Sequence, residues 1–153
     1  MRFWLATIGI AVLLIARGAV AGELIPVDAE TFRDELDKRQ GQVVLVNFWA
    51  TWCRPCLEDI PLLMQLEDEL GERGFTLIAV SLDDAQTAES LVEPFMDKWF
   101  PGFTSYQSVE YEMYRTVSVI DPAWNEILPT SYVLARDGSV AERRIYGVKS
   151  RVW

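Results

Sequence analysis

"QVVLVNFWATWCRPCLEDIP", Gln42 to Pro61, changes character halfway. Gln42 to Trp49 is a continuous apolar and β-branched run, the pattern of a strand buried on both faces, as in a parallel sheet. After Thr51 the apolar side chains fall instead at Cys56, Ile60, Leu63, Leu66 and Leu70, a helical spacing that stops at Gly71 and Gly74. Cys53-Arg54-Pro55-Cys56 sits at the junction. A strand that hands over directly to a helix puts Cys53 where unpaired N–H groups and the positive end of the helix dipole stabilise a thiolate. Pro55 suits a first helical turn, because its missing N–H costs nothing there, and Arg54 adds a positive charge. Cys56, one turn further in, is expected to be the more buried thiol. Pro61 is expected to kink the helix.

Outward from this stretch, "FTLIAVSL" from Phe75 to Leu82 predicts a second buried strand. Leu91, Val92, Phe95, Met96 and Trp99 mark a helix face that ends at Pro101-Gly102, with Pro94 obscuring its start, and a short helix is expected around Val109 to Arg115. Upstream, Ala29, Phe32 and Leu36 predict a helix within Val27 to Gln40, with Asp28 as its N-cap and Gly41 as its stop. Downstream, "TSYVLARDGSVAERRIYG" predicts a hairpin turning at Arg136-Asp137-Gly138-Ser139. The expected order is α-β-α-β-α-β-β: one α/β domain whose central mixed sheet ends in an antiparallel pair.

The chain opens with an apolar run, Phe3 to Ala16, behind Arg2. As a helix it would cover roughly 20 Å, short of the ~30 Å of a bilayer's hydrocarbon. Arg17-Gly18 and the small-x-small triplet Ala19-Val20-Ala21 follow, so residues 1–21 are expected to be a cleaved signal peptide, with an uncleaved anchor as the alternative. Residues 22–153 would then form the single domain, in a periplasmic or otherwise extracytoplasmic compartment. With a net charge of −9, growing more negative once Arg2 and Arg17 are removed, the surface repels phosphate backbones and argues against nucleic acid as a partner.

The chain has two cysteines and no histidine. A bridge between Cys53 and Cys56 closes almost no loop, so it would be a poor staple. Thiol–disulfide exchange needs a low-pKa thiolate, a second thiol and access, none of which requires an imidazole. A structural zinc site wants four Cys or His ligands. Two thiolates could still hold Cu(I), with Met64, Met96 or Met113 as a distant third ligand, and an inert pair is the third reading.

"VVLVNFWATWCRPC" (43–56) and "LPTSYVLARDG" (128–138) resemble the active-site segment and the cis-proline strand of the thioredoxin superfamily, and are similar in detail to the exported TlpA/ResA-like thiol-disulfide oxidoreductases. The resemblance runs from about Gln42 to Tyr146. It implies a thioredoxin-like fold in which Cys53 attacks a substrate disulfide and Cys56 resolves the mixed disulfide. It makes Pro129 a cis-proline facing the cysteines, with the Leu128 backbone pairing with substrate. Exported relatives carry a glutamate followed by x-Pro where Asp59-Ile60-Pro61 stand, so Asp59 is either the carboxylate that helps Cys56 deprotonate or a solvated acid on an acidic helix. Asn47 takes the place of the buried aspartate of cytoplasmic thioredoxins. Trp52 is expected to line the substrate groove and Trp49 to pack the core, while Trp124 is expected to pack its loop, with shaping of the substrate groove as the alternative.

The implied activity is an exported oxidoreductase that reduces protein disulfides without a cofactor or metal. An external dithiol donor, such as a membrane reductase, would recharge it, because no third cysteine exists to relay electrons. A Cu(I) chaperone and a thiol peroxidase on the same fold are the alternatives. The absent histidine counts against the first. Ala50, where peroxidases of the superfamily have threonine, counts against the second. Only a few residues follow the hairpin, so the family's final helix is expected to be missing or reduced, leaving one sheet face to a partner or to solvent.

Overall fold

A computed structural model describes residues 22–145. The expectations for residues 1–21 and for the final helix beyond the hairpin lie outside the described residues. Six strands form one sheet in the order β1-β4-β3-β2-β5-β6. At its centre β2 (Val43–Trp49) pairs in parallel with β3 (Phe75–Ser81) and antiparallel with β5 (Thr130–Leu134). The hairpin partner β6 (Val140–Ile145) forms one edge. On the other side β3 pairs in parallel with β4 (Ser105–Ser108), and β4 with the edge strand β1 (Leu24–Val27). The sheet is mixed, as a thioredoxin-like fold requires.

Alternation along β2 separates two cores. Val44, Val46 and Phe48 point to the side covered by α1 (Ala29–Asp37) and α4 (Met113–Val117), where they meet Phe32, Val117 and Tyr132. Leu45 and Trp49 point to the side covered by α2 (Arg54–Leu70) and α3 (Glu93–Trp99), where they meet both cysteines, Ile60, Leu63 and Met96. The period of two places Asn47 on this second, cysteine-bearing face. The Trp49 indole N–H donates to Ser105 Oγ at 2.9 Å, so the largest buried ring also has its polar edge satisfied.

Asp28 caps α1 in a capping box: its carboxylate accepts from the backbone N–H of Glu30 and Thr31, and Thr31 Oγ1 accepts from the Asp28 N–H. These bonds hold the Asp28 carboxyl below its ordinary pKa. The helix is shorter than expected at both ends, since Leu24–Val27 is a strand. Pro26 is tolerated in β1 because an edge strand can spare a donor. The second omission from the sequence reading is β4, "SYQS", whose four residues carry three polar side chains and all are buried. Hydrogen bonds make that burial affordable: Ser105 Oγ donates to Ala79 O, and Gln107 Nε2 donates to Asp83 O and Ser108 O. The short helix expected near Val109 begins later, at Met113. Helix α3 starts at Glu93 with Pro94 in its first turn, behind a π-helical turn over Ala88–Val92. Helix α2 runs through Pro61 as one element to Leu70, and the 3-10 turn that follows it, Gly71–Arg73, ends at Gly74 with φ +80°, a conformation that favours glycine.

Candidate active site

Strand β2 ends at Trp49, whose carbonyl accepts from Leu82 N–H at 2.8 Å. The chain then turns over Ala50–Cys53, closed by a bond from Cys53 N–H to Ala50 O at 3.0 Å. Cys53 is the N-cap of α2, Pro55 lies in its first turn, and Leu57 N–H donates back to Cys53 O at 3.2 Å. The two sulfurs are joined, with an S–S distance of 2.00 Å and Cα atoms 5.3 Å apart. Both cysteines are buried, Cys53 at 5% exposure and Cys56 completely, so Cys56 is the more buried of the two, as its place one turn further in predicts.

Asp59 follows one turn after Cys56 on α2 and is buried, 6% exposed, which overturns the alternative of a solvated acid. The positive charge expected from Arg54 stays at the surface: its side chain is 91% exposed and lies 3.6 Å from Glu58, which is itself exposed.

The Leu128–Pro129 peptide bond is cis. Leu128 packs against the core cluster that contains both cysteines, although it stands 72 positions after Cys56 in the sequence. Trp124 is buried in the approach to this strand and donates its indole N–H to Thr130 Oγ1 at 3.2 Å, the packing role expected for it. Trp52 is 64% exposed. Beside it opens a groove of about 530 Å³ at the carboxyl ends of β3 and β4, lined by Trp52, Asp84, Val109, Glu110, Tyr111 and Met113. Open-sheet proteins bind ligands at this end of their strands.

One feature of the site, Asp83, was not singled out from sequence. Asp83, buried at 6% exposure, accepts from Thr51 N–H (2.9 Å), Thr51 Oγ1 (2.6 Å) and Ser81 Oγ (3.0 Å). Its one sequence signal is its position, an acid just past a buried strand that neighbours the cysteine strand. Asn47, fully buried, donates its amide to Ser131 Oγ at 2.9 Å. Among the described residues no group of three or more Cys, His, Asp or Glu side chains is gathered in a way that could hold a metal ion.

Residues 23–143 match the AhpC/TSA family. The thiol-disulfide oxidoreductase ResA of Bacillus thuringiensis subsp. konkukian (strain 97-27) is 30% identical over 125 residues, which cover 82% of this chain and 67% of that protein. ResA of Halalkalibacterium halodurans is 27% identical over 168 aligned positions, covering 99% and 90%. Among solved structures, the thiol:disulfide interchange protein DsbE from Chlorobium tepidum superposes with a TM-score of 0.59 at 28% identity, over 72% of each chain. StoA from Bacillus subtilis, at 21% identity and a TM-score of 0.56 over 71% of this chain and 77% of its own, shares the fold. With residues 23–143 matching that family, a C-x-x-C disulfide at a helix N-cap and a ResA relative 30% identical over most of its length, the chain belongs to the AhpC/TSA family as a ResA-type thiol-disulfide oxidoreductase.

Proposed function

We propose that the protein reduces disulfides of other proteins outside the cytoplasm. The observation that carries this reading is the asymmetry of the pair, with Cys53 at the mouth of α2 and Cys56 sealed behind it. In the reduced protein, the Cys53 thiolate attacks one sulfur of a substrate disulfide. A mixed disulfide forms and the substrate's other sulfur leaves as a thiolate, which takes a proton from solvent. Cys56 then loses its proton and attacks Cys53 Sγ, releasing the second substrate sulfur and leaving the Cys53–Cys56 disulfide. Two electrons pass to the substrate, and an external dithiol returns them. A membrane reductase is the donor class that suits an exported protein.

In this reading Asp59 receives the Cys56 proton, a role supported by its burial and by its spacing of one turn along the same helix. Trp52 and the groove beside it would contact the substrate chain, and the Leu128 backbone, held by the cis peptide to Pro129, would pair with it. Residues 1–21 act as the export signal in this reading.

The test is the reduction potential of the Cys53–Cys56 couple, from equilibration with dithiothreitol buffers and trapping of free thiols. A value near about −270 mV supports an electron donor, and one near about −120 mV makes the protein an oxidant instead. Mass spectrometry of the exported form tests the localisation: a first residue at Gly22 supports cleavage after Ala21, and an intact N-terminus in the membrane fraction supports the anchor.

A further inference from the structure

Of the three donors to the Asp83 carboxylate, two come from Thr51, in the turn that delivers Cys53. Oδ1 takes the Thr51 hydroxyl, while Oδ2 takes the Thr51 amide and the Ser81 hydroxyl. Ser81 Oγ in turn accepts from Asp83 N–H at 3.2 Å, and the Asp83 carbonyl accepts from Gln107 Nε2 at 2.7 Å. The carboxylate is therefore fixed from β3 and β4 before it reaches the turn, and it grips the turn at two points. Because Cys53 N–H is bonded to Ala50 O across the same turn, Thr51 cannot move without moving Cys53.

We infer that Asp83 is a positioning residue for the attacking thiol, clamping the Ala50–Cys53 turn so that Cys53 stays at the N-cap of α2. This rests on the reading of Cys53 as the attacker. The physical reason is the short range of helix-terminus stabilisation. It acts on a charge aligned with the first turn and falls off within that turn, so a sulfur that wanders loses it. The neutral hydrogen bond to Ala50 holds one end of the turn, and charge-assisted bonds to Asp83, about twice as strong as neutral ones, hold the middle. The negative charge works against the thiolate electrostatically, so the clamp has an effect opposite in sign to the charge that makes it. The two can be separated.

The experiment follows the pH dependence of iodoacetamide alkylation of Cys53 in the reduced full chain carrying Cys56→Ser, so that one thiol reports. In Asp83→Ala the turn is released, and the alkylation midpoint is expected to rise by about half a pH unit or more. Thr51→Val, which keeps the amide bond and loses the hydroxyl, should move it in the same direction by less. Asp83→Asn keeps an acceptor for the Thr51 amide and offers Thr51 Oγ1 a donor; without the opposing charge its midpoint should match the parent or fall below it. An unchanged midpoint in Asp83→Ala, with circular dichroism showing a folded protein, overturns the clamp. If Asp83→Ala does not fold, an unchanged midpoint in Thr51→Val overturns it. A parent that fails to exchange with any protein disulfide sinks the proposed function and leaves this alkylation test standing.

Discussion

Asn47 and Ser131 stand directly opposite one another in the antiparallel β2–β5 pair, and the Asn47 amide donates to Ser131 Oγ at 2.9 Å across it. The same side chain's Oδ1 is buried and meets no donor among the described residues. The position lies on the cysteine face of the central strand, where a neutral amide is tolerated and an ionised group would be costly. Asn47→Asp should therefore destabilise the fold by roughly 2 kcal/mol or more at pH 8. Burial raises the folded-state pKa of the introduced carboxyl above its unfolded value of about 3.9, so the loss is absent below about pH 4 and grows as pH rises through that folded value. Urea unfolding of both proteins at pH 4 and pH 8 checks the magnitude and the sign. Equal losses at the two pH values would mean the side chain reaches solvent.

Removing the buried acid of α2 should affect one half-reaction. In Asp59→Asn, attack of Cys53 on substrate proceeds at the parent rate, while resolution of the mixed disulfide by Cys56 slows by about tenfold or more, the low end of general-base contributions. Rapid-mixing kinetics with quenched thiol trapping separate the two steps. A variant slowed only in the first step would assign Asp59 elsewhere.

The exposed indole beside the C-x-x-C should matter for protein substrates and not for small ones. Trp52→Ala is expected to lower kcat/KM several-fold with a protein disulfide, through KM, and to leave reduction of a small aromatic disulfide within about twofold. Its unfolding free energy should change little, because a side chain 64% exposed contributes little to the core. Equal losses on both substrates would point to a changed thiol and not to lost contact.

Tyr106 connects β4 to α1 by donating its phenol to Glu35 Oε2 at 2.9 Å. Burial first, and the Glu35 acceptor second, push the phenol up to about 12, while the Glu35 carboxyl, held chiefly by its bond to Lys38, lies below its ordinary range. Because the folded value exceeds the unfolded value of 10.0, the stabilisation is complete below pH 10 and is lost as pH climbs from 10 through 12. Wild type should accordingly lose more stability than Tyr106→Phe over that interval. Urea midpoints at pH 9 and pH 11 report it, and parallel declines in the two proteins would refute the linkage.

Local chain chemistry determined a large part of this protein. The apolar run of β2, the change to helical spacing at Cys56, the Asp28 cap and the Asp137-Gly138 turn each act within a few residues, so they can be recognised without knowing where the rest of the chain goes. The cysteine pair is of the same kind, since a strand-to-helix junction carries its own electrostatics. The tertiary structure decided what depends on a distant partner. Strand β4 is polar and four residues long, and it becomes a buried strand only because β1 and β3 flank it and satisfy its backbone. Thr51 meets Asp83 over 32 residues of sequence and Asn47 meets Ser131 over 84. An acid at position 59 has the same helical spacing whether it faces water or the sheet, and packing against the sheet settled that it is buried. Short-range free energy differences write the elements into the sequence, whereas burial and long-range hydrogen bonds exist only once the chain has returned on itself.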